Sequence, residues 1–542
     1  MCAERDEQLT LSDSTQLISR IWSPSGSGPW PALLMRQPYG RSIASTITLA
    51  HPRWWASKGY LVVVQDVRGQ GESEGTFRGF EQEANDTAET LSWVRSMPDC
   101  NGRIGCYGLS YQGVTQLLAP PHTPPPDCMA PAMAGLDERL HWSCEGGAHW
   151  WHLGLGWGLQ LAAQQARRQG NAMAWEEIRR ALVNGDYLRD GLALLQRHDA
   201  EGMACRWFQN DPQHPQGWQR HCVDEAWLRQ PLLLIGGWWD PHLMGIIDLW
   251  QRSQAAGGTP ELHIGPATHL QWWPEVQPLL LNFFNHHLKG VSDAERPSRQ
   301  LWDLSEQRWI SQPAEPCGPW SLTGTEVNVL NPADGRLQLG GVGGGQVLIV
   351  HDPWRPTPAK GGHLSPSAGP HDRSSLDQRS DVATFTSDGL SDGLVLEGRP
   401  ELRLNLEADQ PGFDIAVALS RLPSGGSSVD QLSTGVYRCL GENALQLSQH
   451  RVLLQPLRAS LKPGDRLRLS IAGAAWPAIG VNPGTPEHPA GAPSPDHRVV
   501  TMTLELAGSA LKLIPLNSGK LAEDTPKEPV SYTHLRAHET SQ

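Results

Sequence analysis

Residues 103–114 read RIGCYGLSYQGV, and the fold turns on how that stretch is taken. An apolar run enters at Ile104 and leads to Gly108; Ser110 follows, then a segment with helical spacing. Strand, tight turn and helix in that order would lift the Ser110 side chain clear of a sheet edge. The pattern is G-x-S-x-x-G, with Gln112 where the commoner pentapeptide has glycine. Such a match arises by chance roughly 0.4 times in a chain of this length and composition. Its meaning therefore rests on the residues around it.

Strand-like and helix-like runs alternate on both sides. "QLISRIW", "PALLMRQPY" and "LVVV" read as strands, and "FEQEANDTAETLSWVRSM" as a helix with an acidic first half, which suits the positive end of a helix dipole. "QPLLLIGGWWD" and "PELHIGPATH" are later strands that end in polar residues. Such alternation builds a mostly parallel sheet, and ligands collect at the carboxyl ends of its strands. Between 136 and 229 the strand pattern stops; "LGWGLQLAAQQARRQG" and "AWEEIRRALVNGDYLRDGLALLQRH" read as amphipathic helices inserted into the sheet domain. From 297 on, short alternating runs such as "ELRLNLEA" and "RLRLSIAG" are broken by Gly and Pro, the pattern of an all-β sandwich. The expected organisation is an α/β sheet domain over 1–135 and 230–296, a helical cap over 136–229, a β-sandwich over 297–518 and a disordered tail over 519–542. The last dozen residues look unrelated to the domain before them.

Composition narrows the function classes. A chain of 542 residues needs more than one core. A net charge of -13 argues against nucleic acid or an anionic membrane as the main partner. No apolar run reaches the roughly 18 residues of a membrane helix, and the acidic start lacks a secretory h-region. The nine cysteines show no C-x-x-C pair and read as free thiols of a cytoplasmic protein, without a structural or catalytic metal.

A serine hydroxyl is a weak nucleophile unless a base stands within hydrogen-bond reach and a carboxylate orients that base. Asp240 follows the run "LLLIGGWW", and His269 follows "LHIGPAT". Ser110, Asp240 and His269 thus appear in the order Ser, Asp, His, each just past a strand, where the sheet topology would bring them to one edge. A tetrahedral oxyanion needs donors. The Tyr111 backbone N–H supplies one. The loop "MRQPYGRS" offers a second in the Tyr39 hydroxyl, since Pro38 has no N–H.

Several segments together carry a resemblance. "RQPYGR", "DVRGQGESEG", "NGRIGCYGLSYQG", "GGWWD", "FFNHHLKG" and, further on, "HDPWRPTP" and "LKPGDRLRLSIAGAAWP" resemble the cocaine esterase and X-Pro dipeptidyl-peptidase family of serine hydrolases. That family lacks the requirement for glycine two places after the serine. The resemblance implies an α/β-hydrolase sheet domain with a helical cap and a C-terminal jelly roll. It implies Ser110 as nucleophile, His269 as general base and acid, Asp240 as its orienter, and Tyr39 and Tyr111 as oxyanion donors. Asp66 and Arg68 are expected to bond loop backbone rather than to catalyse. The family's G-P-W-x-H-G reads GPATHL here, and the acidic residues that hold a substrate ammonium in the α-amino ester hydrolase branch are His242 and Leu243.

These readings converge on an acyl-transfer hydrolase of a small ester, amide or short peptide, needing no cofactor, and possible as a homo-oligomer. Trp150 and Trp151 of the cap, with Trp239 and His242 beside the aspartate, are the expected substrate contacts. X-Pro dipeptidyl-peptidase action is the alternative within the class; it requires a carboxylate for a free ammonium, for which Glu145 stands in a family-like position. An inactive scaffold with a ligand-binding β-sandwich is the alternative from another class.

Overall fold

The computed structural model describes residues 2–42, 48–291, 296–315, 317–323, 335–340 and 343–517. The tail expected to be disordered lies outside the described residues.

The first domain is built on a sheet of strands β1 (Ala3–Thr10), β2 (Gln16–Ser23), β3 (Trp30–Gln37), β4 (Leu61–Asp66), β5 (Cys100–Leu109), β6 (Cys128–Ala132), β9 (Leu233–Trp239), β10 (Glu261–Thr268), β11 (Arg299–Asp303) and β12 (Arg308–Ile310). A short hairpin, β7 (Cys144–Glu145) and β8 (Ala148–His149), stands apart from it. Among the described residues the sheet order is β1-β2-β4-β3-β5-β6-β9-β10-β11-β12, with β4 through β11 parallel to their neighbours and both edges antiparallel. Alternate residues feed two cores. Leu34, Val63 and Ile104 pack on one face, Leu33, Val62 and Val64 on the other. Burial on both faces is why these strands read as continuous apolar runs. The sheet does not end at 296 as expected: β11 and β12 extend it, so the first domain takes residues from beyond the expected boundary.

Helices α1 (Pro52–Ser57), α2 (Glu83–Ser96), α3 (Tyr111–Val114), α8 (Glu225–Leu228), α9 (Leu243–Ala255) and α10 (Val276–Lys289) belong with the sheet. The cap consists of α4 (Trp151–Arg168), α5 (Ala172–Asn184), α6 (Tyr187–His198) and α7 (Met203–Gln209) around their own apolar cluster. The second cap stretch, read as one helix, is two. Gly185 at φ +80° closes α5 in the left-handed region, which an L side chain resists.

The second domain is all β. Its strands, from Trp320–Thr323 to Val500–Ile514, form one eleven-stranded sheet among the described residues. The path starts on Asp430–Leu440 and ends on the next strand in sequence, Ser448–Leu453, so the sheet nearly closes into a barrel. The two layers read from the sequence are thus joined. Ion pairs seal the junction: Arg299 of β11 and Arg458 both hold Glu397, and Asp303 accepts from Ser460 Oγ at 2.6 Å.

Candidate active site

The carboxyl ends of β3, β5, β9 and β10 meet at one edge and deliver Tyr39, Ser110, Asp240 and His269 to a single cavity, Asp240 from behind its wall. Ser110 stands between β5 and α3 at φ 59°, ψ −126°, a conformation an L residue holds only when its surroundings over-determine it. Those surroundings are close. A Cβ on Gly108 would lie 2.4 Å from Gln112 Cβ, and one on Gly113 would lie 2.7 Å from Ala134 Cβ. Helix α3 therefore sits hard against the sheet. The Ser110 N–H donates to Ala132 O at 2.9 Å, and the Ser110 carbonyl accepts from Gly113 N–H at 2.8 Å. Gln112, the residue in the glycine position, accepts from Leu109 N–H at 3.2 Å and donates to Gln37 Oε1 at 3.3 Å, which ties the turn to β3.

Two donors face this turn. Among the described residues no acceptor takes the Tyr111 N–H, one of the unpaired amides at the start of a helix. The Tyr111 ring points away: its hydroxyl donates to Glu83 Oε1 at 2.7 Å, and Arg36 pairs with Glu83 at 2.8 Å, all three buried. Burial holds the Glu83 carboxyl above the usual carboxylate range in spite of Arg36. Tyr39 accepts from Trp157 Nε1 at 3.2 Å, which leaves its own O–H to donate, and its phenol faces the Ser110 side chain. Burial raises the Tyr39 pKa, so the hydroxyl keeps its proton.

The histidine end is organised by side chains. His269 Nδ1 meets Asp240 Oδ1 at 2.7 Å, and Asp240 is fully buried. The other oxygen, Oδ2, accepts from His242 N–H at 3.1 Å. His269 stands on a turn in which Thr268 N–H donates to Gln271 O at 3.0 Å and Trp272 Nε1 donates to His269 O at 3.1 Å. Trp272 thus anchors the loop in which the family's tryptophan, two places before the histidine, is Ala267. Among the described residues no hydrogen bond closes the gap from His269 to Ser110; in unliganded hydrolases this contact is often open and tightens with substrate. The His242 ring lies 4.9 Å from the His269 ring, tilted 53° to it, and donates from Nδ1 to His141 O at 2.6 Å. Burial pushes its pKa down to about 4, so it is neutral at pH 7. Asp240, His242 and His269 present ligand-type atoms within 4.8 Å of one another, the set a metal ion would use. The hydrogen bonds just described already engage Asp240 Oδ1, His269 Nδ1 and His242 Nδ1.

The cavity has a volume of about 320 Å³. Helix α4 lays Leu153, Trp157, Gln160 and Gln164 along it, one helical stripe, while Trp142 and Trp150 close the side toward His242. The sequence places Trp142 and Trp157 in the cap without assigning them to the site; the i, i+4, i+7, i+11 spacing of the stripe is the signal that could have found Trp157. Two expected contacts are corrected. Trp151, one residue into α4, turns away from the cavity into the cap core and donates to Leu188 O at 2.9 Å. Trp239 packs against the sheet-domain core instead of lining the cavity. Trp150 and His242 do line it. Asp66 bonds the backbone N–H groups of Arg41 and Glu72, as expected of a loop organiser. Arg68, expected to bond backbone, instead pairs with Asp86 at 2.7 Å and Asp13 at 2.6 Å. Glu145 faces the second domain, 2.6 Å from His363 Nε2.

A parallel sheet carrying a serine on a strained strand-to-helix turn, a buried Asp paired with a half-buried His at the later strand ends and an inserted cap defines an α/β hydrolase. The comparisons with known proteins give the family. Residues 13–271 match the model of the X-Pro dipeptidyl-peptidase (S15) family, and residues 294–513 that of the X-Pro dipeptidyl-peptidase C-terminal non-catalytic domain. The chain belongs to this family and is a serine hydrolase of the CocE/NonD type. It is 25% identical to the cocaine esterase of Rhodococcus sp. over 529 residues, covering 88% of this chain and 91% of that one. An aminopeptidase from a marine sediment Thaumarchaeota archaeon aligns with a TM-score of 0.70 at 19% identity, over 94% of this chain and 96% of that one. A CocE/NonD family hydrolase from Staphylococcus aureus aligns with a TM-score of 0.67 at 18% identity, over 94% of this chain and 93% of that one. No helix among the described residues is long and apolar enough to cross a membrane.

Proposed function

We propose that the protein is an esterase or acylase of neutral acyl groups, acting through a Ser110–His269–Asp240 relay. The observation that carries the relay is the 2.7 Å Asp240–His269 contact at a cavity shared with a serine at φ 59°. His269 Nε2 removes the Ser110 proton as the hydroxyl attacks the carbonyl. The oxyanion forms against the Tyr39 hydroxyl and the Tyr111 N–H. His269 then protonates the leaving group, and water, activated by the same imidazole, releases the acid. Asp240 holds the imidazole in the required tautomer and stabilises it while charged.

The lining supports the neutral-substrate reading. Among the described residues that line the cavity there is no Asp, Glu, Lys or Arg, and Asp240 behind the wall is taken by His269. An ammonium buried there without a carboxylate partner is costly, and Glu145, the family-like candidate, is engaged by His363. The test is twofold. A fluorophosphonate probe should label wild-type protein at Ser110; a folded protein that resists labelling is the inactive scaffold. A panel of acyl esters, anilides and Xaa-Pro anilides should then show preference for neutral acyl esters or amides, and selective Xaa-Pro cleavage would replace this reading with dipeptidyl-peptidase action.

A further inference from the structure

The loop that carries Asp240 is not held by its own domain alone. The Asp240 carbonyl accepts a hydrogen bond from the Gln455 side-chain amide at 2.6 Å, and Gln455 belongs to the all-β domain. The other donor to that carbonyl, Leu243 N–H, is long, at 3.3 Å. Both residues are buried, Gln455 at 4% exposure and Asp240 at 0%. A buried carbonyl that loses its stronger donor bears a real desolvation cost, and here it lies on the backbone of the residue that orients His269.

The Gln455 side chain is presented by a fixed backbone. Its N–H donates to Thr434 O at 2.8 Å, and its carbonyl accepts from Ser433 Oγ at 2.5 Å. The preceding residue, Leu454, donates to Pro400 O at 2.9 Å. Gly435 permits the approach: a Cβ there would lie 2.4 Å from Leu453 O and 2.7 Å from Leu454 Cα. Proline follows on both sides of the junction, Pro241 after Asp240 and Pro456 after Gln455. Each proline restricts the residue before it to extended backbone and lacks an N–H that could compete. The amide and the carbonyl therefore meet from two stiff segments.

We propose that Gln455 is a positioning residue for the acyl-transfer reaction, through which the all-β domain sets the Asp240–His269 geometry. This rests on the relay proposed above. A displaced Asp240 carboxylate would support the charged imidazole less well. The result is a lower kcat and an acid limb of the pH–rate profile moved to lower pH, because a less supported His269 loses its proton more readily. Other groups facing His269 would keep their state: His242 is neutral, and Tyr39 keeps its proton.

The experiment compares the wild-type full chain with Gln455→Leu, Gln455→Met and Asp240→Asn on a chromogenic ester of a neutral acid. Gln455→Met keeps the length of the side chain and has no hydrogen to donate, so it serves should the leucine variant fold poorly. The expected result is a fall in kcat of about tenfold or more in both Gln455 variants, with KM within about twofold of wild type and the acid limb moved down. Fluorophosphonate labelling of Ser110 should be slowed by a similar factor. A folded Gln455 variant with wild-type kcat and acid limb, beside an inactive Asp240→Asn, would overturn this inference and leave the relay standing. A rise in KM with an unmoved acid limb would likewise overturn it, as general loosening of the fold. Full activity in Asp240→Asn would overturn the relay and this inference together.

Discussion

The serine end and the histidine end of the site reach the same cavity by different means. Ser110 is placed by backbone: a strand, a left-handed residue and a helix pressed to the sheet, all within residues 100–114. His269 is placed by side chains: Trp272 three residues on, Asp240 from the preceding strand end and, through the Asp240 carbonyl, Gln455 of the second domain. A local device tolerates distant change and fails on a single methyl group. A distributed device tolerates local sequence change, as GPATHL shows, and depends on the assembly of the whole chain.

That contrast can be broken or sharpened. The largest effect belongs to Ser110→Ala, expected to cost about a millionfold in kcat and to abolish fluorophosphonate labelling. The melting temperature should not fall, because the device is backbone. Asp240→Asn is expected to cost about ten-thousandfold in kcat through the wrong imidazole tautomer, measured on the same ester. Tyr39→Phe removes one of the two proposed oxyanion donors and should lower kcat by about a hundred- to a thousandfold with little change in KM; an unchanged kcat would take Tyr39 out of the oxyanion site. Gly113→Ala places a methyl group against Ala134 and Ala132 O and should destabilise the fold by about 1–3 kcal/mol in chemical denaturation.

The smallest effect is in pH. His242 and His263 are pushed down to about 4 by burial. Their neutral forms contribute stability that is fully present above the ordinary histidine range near about 6.5 and is lost as pH falls through about 4. Glu83, behind the serine end, has the opposite sign: its raised carboxyl stabilises the fold at low pH and loses that contribution as pH rises through its folded value. Denaturation curves across this window should therefore flatten on the acid side in His242→Phe and steepen in Glu83→Gln.

The same contrast explains what the sequence made legible. The serine turn, the strand ends and the Ser, Asp, His order are local patterns, so Ser110, Asp240 and His269 stand out in the sequence alone. Gly113 closes the G-x-S-x-x-G pattern, and the structure gives the reason: a Cβ there would lie 2.7 Å from Ala134 Cβ. Trp151 and Trp239 could not be sorted from Trp150, because adjacent residues share composition while the start of a helix and the end of a strand set their directions. The break at Gly185 hid inside a continuous amphipathic pattern. The extension of the sheet by β11 and β12, and Gln455 itself, depend on contacts between distant segments that leave no local pattern.

The Gln455 contact also bears on the order of events during synthesis. By residue 269 the ribosome has made Tyr39, Ser110, Tyr111, Asp240 and His269, yet β11, β12 and Gln455 have still to be made. At about 5–20 residues per second, roughly ten to forty seconds of elongation separate the last residue of the relay from Gln455. During that interval the nascent chain carries every group of the proposed relay without the Gln455 contact to its aspartate turn. On the proposed relay, acyl transfer at full rate therefore waits for the closing domain, and the delay is set by the length of chain between His269 and Gln455.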